Sequence, residues 1–156
     1  ALRGLTPGRV ERASRIVFVC TANSARSQLA AALWSTHSSI PASSGGTHPA
    51  ERIDPGAMAA AARHALSLPD ELPRDLTSVL TGSDFVVTVC DNAHEELGIA
   101  GHMHWSIPDP ALASSQQSIQ TGGQRLHLAC LLAGLITRKL DDIDPQHGLA
   151  RDIFDE

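Results

Sequence analysis

Arg15-Ile-Val-Phe-Val-Cys20 is a six-residue run rich in β-branched and aromatic side chains, apolar at both odd and even positions. A strand with no polar face must be covered on both sides, which suits the centre of a parallel sheet. The run leads into a turn of small residues, Thr21 to Ala25, and then into an Ala/Leu-rich, helix-prone stretch, Gln28 to His37. Strand, tight turn and helix form the opening unit of an alternating α/β fold.

The rest of the chain keeps that alternation. Residues 40–44 predict a short second strand, stopped by Gly45-Gly46. Asp54-Pro55 predicts a helix start, with Asp as N-cap and Pro at the first helical position, and the Ala-rich stretch to Leu66 is the helix. Pro69 and Pro73 break the chain, and residues 74–80 predict a further short helix. Asp84-Phe-Val-Val-Thr-Val-Cys90 is the clearest strand after the first. His102 to Ser106 is a weaker strand, ahead of a loop at Pro108-Asp109-Pro110, and a long helix is expected from about Ser118 to Leu140. The pattern implies an α/β, doubly wound three-layer sandwich around a four-stranded parallel sheet. One domain over residues 15–140 is expected, long enough to bury a core without staples. Residues 1–14 read as a linker, a processed N-terminal segment or the stump of an upstream domain, and residues 141–156 as an acidic C-terminal tail.

Composition closes several function classes. A net charge of −5 argues against a nucleic-acid surface, which wants a basic patch. The longest apolar run, Leu126 to Ile136, falls short of the ~20 residues that span a bilayer, so no membrane contact is expected. Ala1 to Arg15 is polar and Arg-rich, without the apolar stretch of a signal peptide. Three cysteines are an odd count and no disulfide framework, which points to a reducing cytoplasm and to thiols kept for chemistry or packing. One Lys against eleven Arg, with much Ala and no Tyr, reads as a GC-rich genome rather than as function.

In doubly wound folds, ligands bind beyond the carboxyl ends of the strands. Cys20, Cys90 and the Asp109 loop all leave such ends, so the three converge on one edge of the sheet. The sharpest element is Cys20-Thr-Ala-Asn-Ser-Ala-Arg26-Ser27. A loop at a helix N-terminus offers backbone N–H groups and the positive end of the dipole. Small residues at Ala22, Ser24 and Ala25 let the backbone close around a tetrahedral anion. Thr21, Asn23 and Ser27 complete the candidate oxyanion loop, and Arg26 adds a planar fork for two oxyanion oxygens. The same field favours a thiolate at Cys20, an activated nucleophile facing a bound oxyanion.

The stretch Val17-Phe-Val-Cys-Thr-Ala-Asn-Ser-Ala-Arg-Ser-Gln-Leu-Ala30 resembles the low-molecular-weight protein tyrosine phosphatases and the arsenate reductases built on their fold. The resemblance runs from about residue 15 to 138, and Ser44-Gly45-Gly46-Thr47 resembles the family's Ser-Ala-Gly-Thr turn with Gly45 for Ala. It implies the low-molecular-weight phosphatase fold, with Cys20 as nucleophile, Arg26 on the oxyanion and Asp109 as general acid. Tyrosine phosphatases of this family carry aromatic residues after that Asp; this chain has Ala111 and Leu112. His104-Trp-Ser-Ile-Pro-Asp-Pro-Ala111 looks like the corresponding stretch of arsenate reductases. Val86-Val-Thr-Val-Cys90-Asp-Asn-Ala93 resembles their segment holding a second, redox-active Cys, which assigns Cys90 to the thiol that attacks Cys20 sulfur.

The implied function is thiol-dependent reduction of arsenate to arsenite for arsenic detoxification, with phosphatase action on phosphotyrosine or small phosphomonoesters as the alternative. No bound cofactor is implied. The shuttle Cys of thioredoxin-coupled members is missing from His94-Glu-Glu-Leu-Gly-Ile. An external thiol reductant is therefore expected: mycothiol, glutathione or a thioredoxin/glutaredoxin-type protein. The family's potassium-binding Glu falls on Ala31, so that site is not carried over. Cys130, mid-helix, and Trp105 read as core packing. Two rival readings stand beside these. Cys90, His94, His102 and His104 are four metal-ligating residues without a zinc-site spacing, and the loop alone would serve an oxyanion-sensing module without turnover.

Overall fold

The computed structural model describes residues 14–98 and 103–107. The Asp109 loop, His102, Cys130, the expected helix over 118–140 and both expected terminal segments, apart from Ser14, lie outside the described residues.

The elements run β1 (Arg15–Cys20), α1 (Arg26–His37), β2 (Ala42–Gly46), α2 (Pro55–Arg63), α3 (Leu76–Val79), β3 (Asp84–Thr88), α4 (Asp91–Leu97) and β4 (Met103–His104). The strands form one parallel sheet in the order β2-β1-β3-β4. Every β3 residue is buried, and so is every β1 residue after Arg15. Successive strand residues point to opposite faces, so the sheet is covered on both sides, as the doubly apolar run of β1 requires. Phe18 lies between Trp34, at 6.3 Å between ring centroids, and Trp105, at 5.9 Å. Trp105 is thus a core residue, as expected from the sequence. After β1 the chain moves outward to β2, then crosses back to β3 on the other side of β1. In doubly wound sheets ligands bind at such a reversal, beyond the carboxyl ends of the strands, and Cys20 stands at that end of β1.

Three local expectations change. Gly45 and Gly46 do not stop β2 but finish it, paired with Val19 and Cys20. Close approach explains both: a Cβ on Gly46 would meet the Thr21 carbonyl oxygen at 2.6 Å, and one on Gly45 would meet Leu76 at 3.1 Å. The second contact accounts for Gly where the family turn has Ala. Helix α1 starts at Arg26, two residues before the expected Gln28, because Leu29 N–H already reaches the Ala25 carbonyl. Helix α4 is an element the sequence pattern does not announce; β3 ends at Thr88 rather than at Cys90, and Cys90 instead caps α4, its sulfur accepting from the Ala93 N–H. The Asp54 cap holds as expected, its carboxylate accepting from Gly56 and Ala57, although α2 ends at Arg63 rather than Leu66.

At the opposite end of the sheet, Arg15 and Asp84 are cross-strand partners. The guanidinium donates to both Asp84 oxygens, at 2.9 and 2.8 Å, and to the Val79 carbonyl at 2.7 Å. Thr81 N–H adds a further bond to the Asp84 carboxylate. The Asp84 side chain is 1% exposed and Arg15 27%. These bonds, that from Arg15 first, hold the Asp84 carboxyl below its usual range. A carboxyl depressed in the folded state contributes stability above its unfolded value, near 4, and loses it as pH falls through the folded value. Asp84→Asn is therefore expected to cost about 2–3 kcal/mol at pH 7, less than a fully buried pair because Arg15 reaches solvent. Urea melts of both proteins at pH 7 and pH 3 check this: the gap should narrow at the lower pH.

Candidate active site

The loop between β1 and α1 is built so that its acceptors turn outward. Cys20, Thr21, Ala22 and Ser24 give their carbonyl oxygens to the N–H groups of Thr47, His48, Ala50 and Asp54. The Asn23 carbonyl accepts from Gln28 Nε2. Five consecutive carbonyls are thereby withdrawn from the concave side, where they would repel an anion. On that side the Asn23 N–H donates to Cys20 Sγ at 3.1 Å. Ser27 Oγ lies 3.0 Å from the same sulfur. Helix α1 has Ala25 as its N-cap and no side-chain cap bond, so no side chain of the cap competes for its first N–H groups.

Asn23 is the centre of this construction. Its φ is 49°, the left-handed region that Asn tolerates better than most side chains. Fully buried, its amide donates to Ser27 Oγ at 2.8 Å and to Ser44 Oγ at 2.9 Å, while its oxygen accepts from the Arg74 N–H and Gln28 Nε2. Sequence reasoning placed Asn23 in the loop but missed this role, which needs partners 21 and 51 residues away. Ser44, Gln28 and Arg74 were missed as supports for the same reason.

Cys20 and Cys90 are both free thiols, 3% and 2% exposed. The structure brings Cys90 to the loop: its sulfur lies 3.4 Å from Thr21 Oγ1. Arg26 Nη1 donates to the Ile107 carbonyl at 2.9 Å, two residues before Asp109, which itself lies outside the described residues. Of the three groups expected at one sheet edge, Cys20 and Cys90 both stand at the carboxyl ends of neighbouring strands, and the Asp109 loop lies outside the described residues. Ala31 is fully buried.

Of the described members of the suggested metal set, two stand together and the third faces elsewhere. His94 and His104 stack face to face at 4.0 Å, and Cys90 is turned to Thr21. Among the described residues no three His, Cys, Asp or Glu side chains form a ligand group. The Asp91 carboxyl is held below its usual range by hydrogen bonds from Ser106 and His104, with the His104 and Arg26 charges adding to them. No helix among the described residues is long and apolar enough to cross a membrane.

Residues 15–130 match the family model described as low molecular weight phosphotyrosine protein phosphatase. Among solved structures, an arsenate reductase from Archaeoglobus fulgidus DSM 4304 is similar at 29% identity and a TM-score of 0.60, over 80% of this chain and 97% of that one. The thioredoxin-dependent arsenate reductase of Corynebacterium glutamicum matches at 22% identity and a TM-score of 0.56, over 85% of this chain and 63% of that one. The tyrosine phosphatase Wzb from Escherichia coli K30, in complex with sulphate, matches at 17% identity and a TM-score of 0.63, over 84% of this chain and 99% of that one. The last two likenesses concern the fold. No curated protein matches the chain.

Proposed function

The chain belongs to the low-molecular-weight phosphotyrosine protein phosphatase family, and from that premise we propose that it is a thiol-dependent arsenate reductase. The observation that carries this reading is the second buried thiol: Cys90 Sγ stands 3.4 Å from the hydroxyl of Thr21, inside the oxyanion loop. Hydrolysis needs one nucleophile. Reduction of an oxyanion needs a second thiol able to reach the first. The similarity at 29% identity to an arsenate reductase supports the same choice.

In this reading the loop N–H groups and Arg26 hold arsenate, and the Ser27 and Asn23 contacts stabilise negative charge on Cys20 sulfur. Cys20 attacks arsenic, a sulfur–arsenic(V) bond forms, and one oxygen leaves as water with a proton from Asp109. Cys90 then attacks Cys20 Sγ. The sulfur–sulfur bond forms and the sulfur–arsenic bond breaks. Its electron pair goes to arsenic, which departs as arsenite, and the Cys90 proton ends on an arsenite oxygen. Two equivalents of an external thiol, or one dithiol protein, reduce the disulfide. Mycothiol, glutathione and a thioredoxin- or glutaredoxin-type protein all supply that chemistry. No cysteine follows Cys90 within α4 to relay the disulfide outward.

The test is single turnover with no added thiol. Wild-type protein is expected to release one arsenite and to yield a Cys20–Cys90 disulfide, read by mass spectrometry of a non-reduced digest. Cys90→Ser should stop at the arsenic(V) adduct until thiol is added. Release by Cys90→Ser at the wild-type rate would remove Cys90 from the mechanism. A second reading, phosphomonoester hydrolysis, is favoured by the completeness of the loop around Cys20 without Cys90. Turnover of p-nitrophenyl phosphate by a sample that leaves arsenate unreduced would select it.

A further inference from the structure

Helix α4 carries Cys90 at its N-cap, yet among its seven residues only Ala93 is buried. Ala93 and the partly buried Leu97 give it its apolar contact with the core, and polar contacts supply the rest of its hold. His104, at the end of β4, lies between two of them: its Nδ1 is 2.8 Å from Thr88 Oγ1 and its Nε2 is 3.0 Å from Asp91 Oδ1. Thr88 is the last residue of β3 and Asp91 the first of α4, so His104 ties the start of the helix to two strands. His94, one turn into α4, stacks on His104 with its Nδ1 3.3 Å from the same Thr88 oxygen. None of these four side chains enters the chemistry above.

We propose that His104, clamped between Thr88 and Asp91 and stacked on His94, is a positioning residue that holds Cys90 against the oxyanion loop and releases it when both imidazoles take up protons. The proposal rests on Cys90 as the second thiol for its use, but not for its geometry. One proton added to the stack faces the Asp91 carboxylate. A second puts two like charges 4.0 Å apart with that one carboxylate between α4 and β4. Among the described residues the other charges around the pair do not compensate. Arg26, from α1, adds positive charge near Asp91. Glu96, on α4, is turned to His48 at 3.0 Å. Ser106 and Thr88 are neutral. Doubly protonated, the stack repels, and the N-terminus of α4, with Cys90 at its cap, loses its hold.

The experiment reads Cys90 exposure directly. Full-length protein is labelled with 2,2′-dithiodipyridine, a thiol-exchange reagent active at acid pH, and the Cys90 peptide is followed by mass spectrometry. Rates are normalised to the same peptide in urea at each pH. Between pH 7.5 and 5.5 the wild-type rate is expected to rise, by up to about tenfold per pH unit for each proton taken up on opening. His94→Ala should flatten the profile at the slow rate, since one imidazole cannot repel itself. His104→Ala should flatten it at the fast rate. A flat, slow wild-type profile overturns the proposal, as does a His94→Ala profile that still rises, so the decision stands even if His104→Ala fails to fold. These outcomes are separable from the reductase reading. The labelling needs no arsenate, and a silent Cys90→Ser in single turnover would leave the clamp standing while ending its role in reduction.

Discussion

Cys20→Ser is expected to abolish both arsenate reduction and any hydrolysis of p-nitrophenyl phosphate. A hydroxyl in place of the thiolate is a far weaker nucleophile at neutral pH, and both reactions start with the same attack on a tetrahedral centre. The fall should be on the order of 10⁴ or more, as when an enzyme loses its nucleophile. The substitution keeps the side-chain size, and the contacts of Ser27 Oγ and Asn23 N–H need only an acceptor at that point. Binding of inorganic arsenate or phosphate, read by calorimetry, should therefore survive while turnover vanishes. Retained turnover would end the assignment of Cys20. Arg26→Lys should lose about 10²–10³ in rate, because a point charge replaces the planar fork at the developing oxyanion.

The second large effect is expected at Asn23, through the loop rather than through the reacting atoms. Asn23→Ala removes the donor to Ser44 Oγ and the acceptor for the Arg74 N–H. It also leaves a side chain without hydrogen-bonding capacity at φ 49°. Buried polar groups left unsatisfied cost about 1–3 kcal/mol each, and the left-handed backbone adds about 1–2 kcal/mol for Ala. The sum is on the order of 4 kcal/mol of stability. Asn23→Gly relieves the backbone but not the orphaned partners, so it should recover only the smaller share. Denaturant melts of the two variants separate the terms. If Ala and Gly prove equally and mildly destabilising, the side chain is not what holds the loop.

Much of this site is visible in the chain order. A doubly apolar run, a cysteine, five small or polar residues, an arginine and a helix-prone stretch follow one another without interruption, and each is decided by neighbours within a few positions. The Asp54 cap and the parallel sheet are legible on the same grounds. So is Trp105 as a core residue, since a lone large aromatic beside a short strand has few places to go. Helix α4 escaped because Asp91 to Leu97 has one buried residue and so no apolar period to read. Gly45 and Gly46 were misjudged because their local signal, a strand stop, was overridden by Leu76 from α3 and by the Thr21 carbonyl.

By itself, the sequence determined the strand–loop–helix unit that presents Cys20 and Arg26, because hydrogen bonding and helix propensity over that stretch are local. Tertiary structure alone decided what surrounds the unit. The outward turn of its carbonyls depends on residues 47–54, the Asn23 network on Ser44 and Arg74, and the approach of Cys90 to Thr21 on the pairing of β1 with β3. Those contacts join positions 21 to 69 apart in the chain, and no local pattern encodes which distant partner will stand opposite once the sheet has closed.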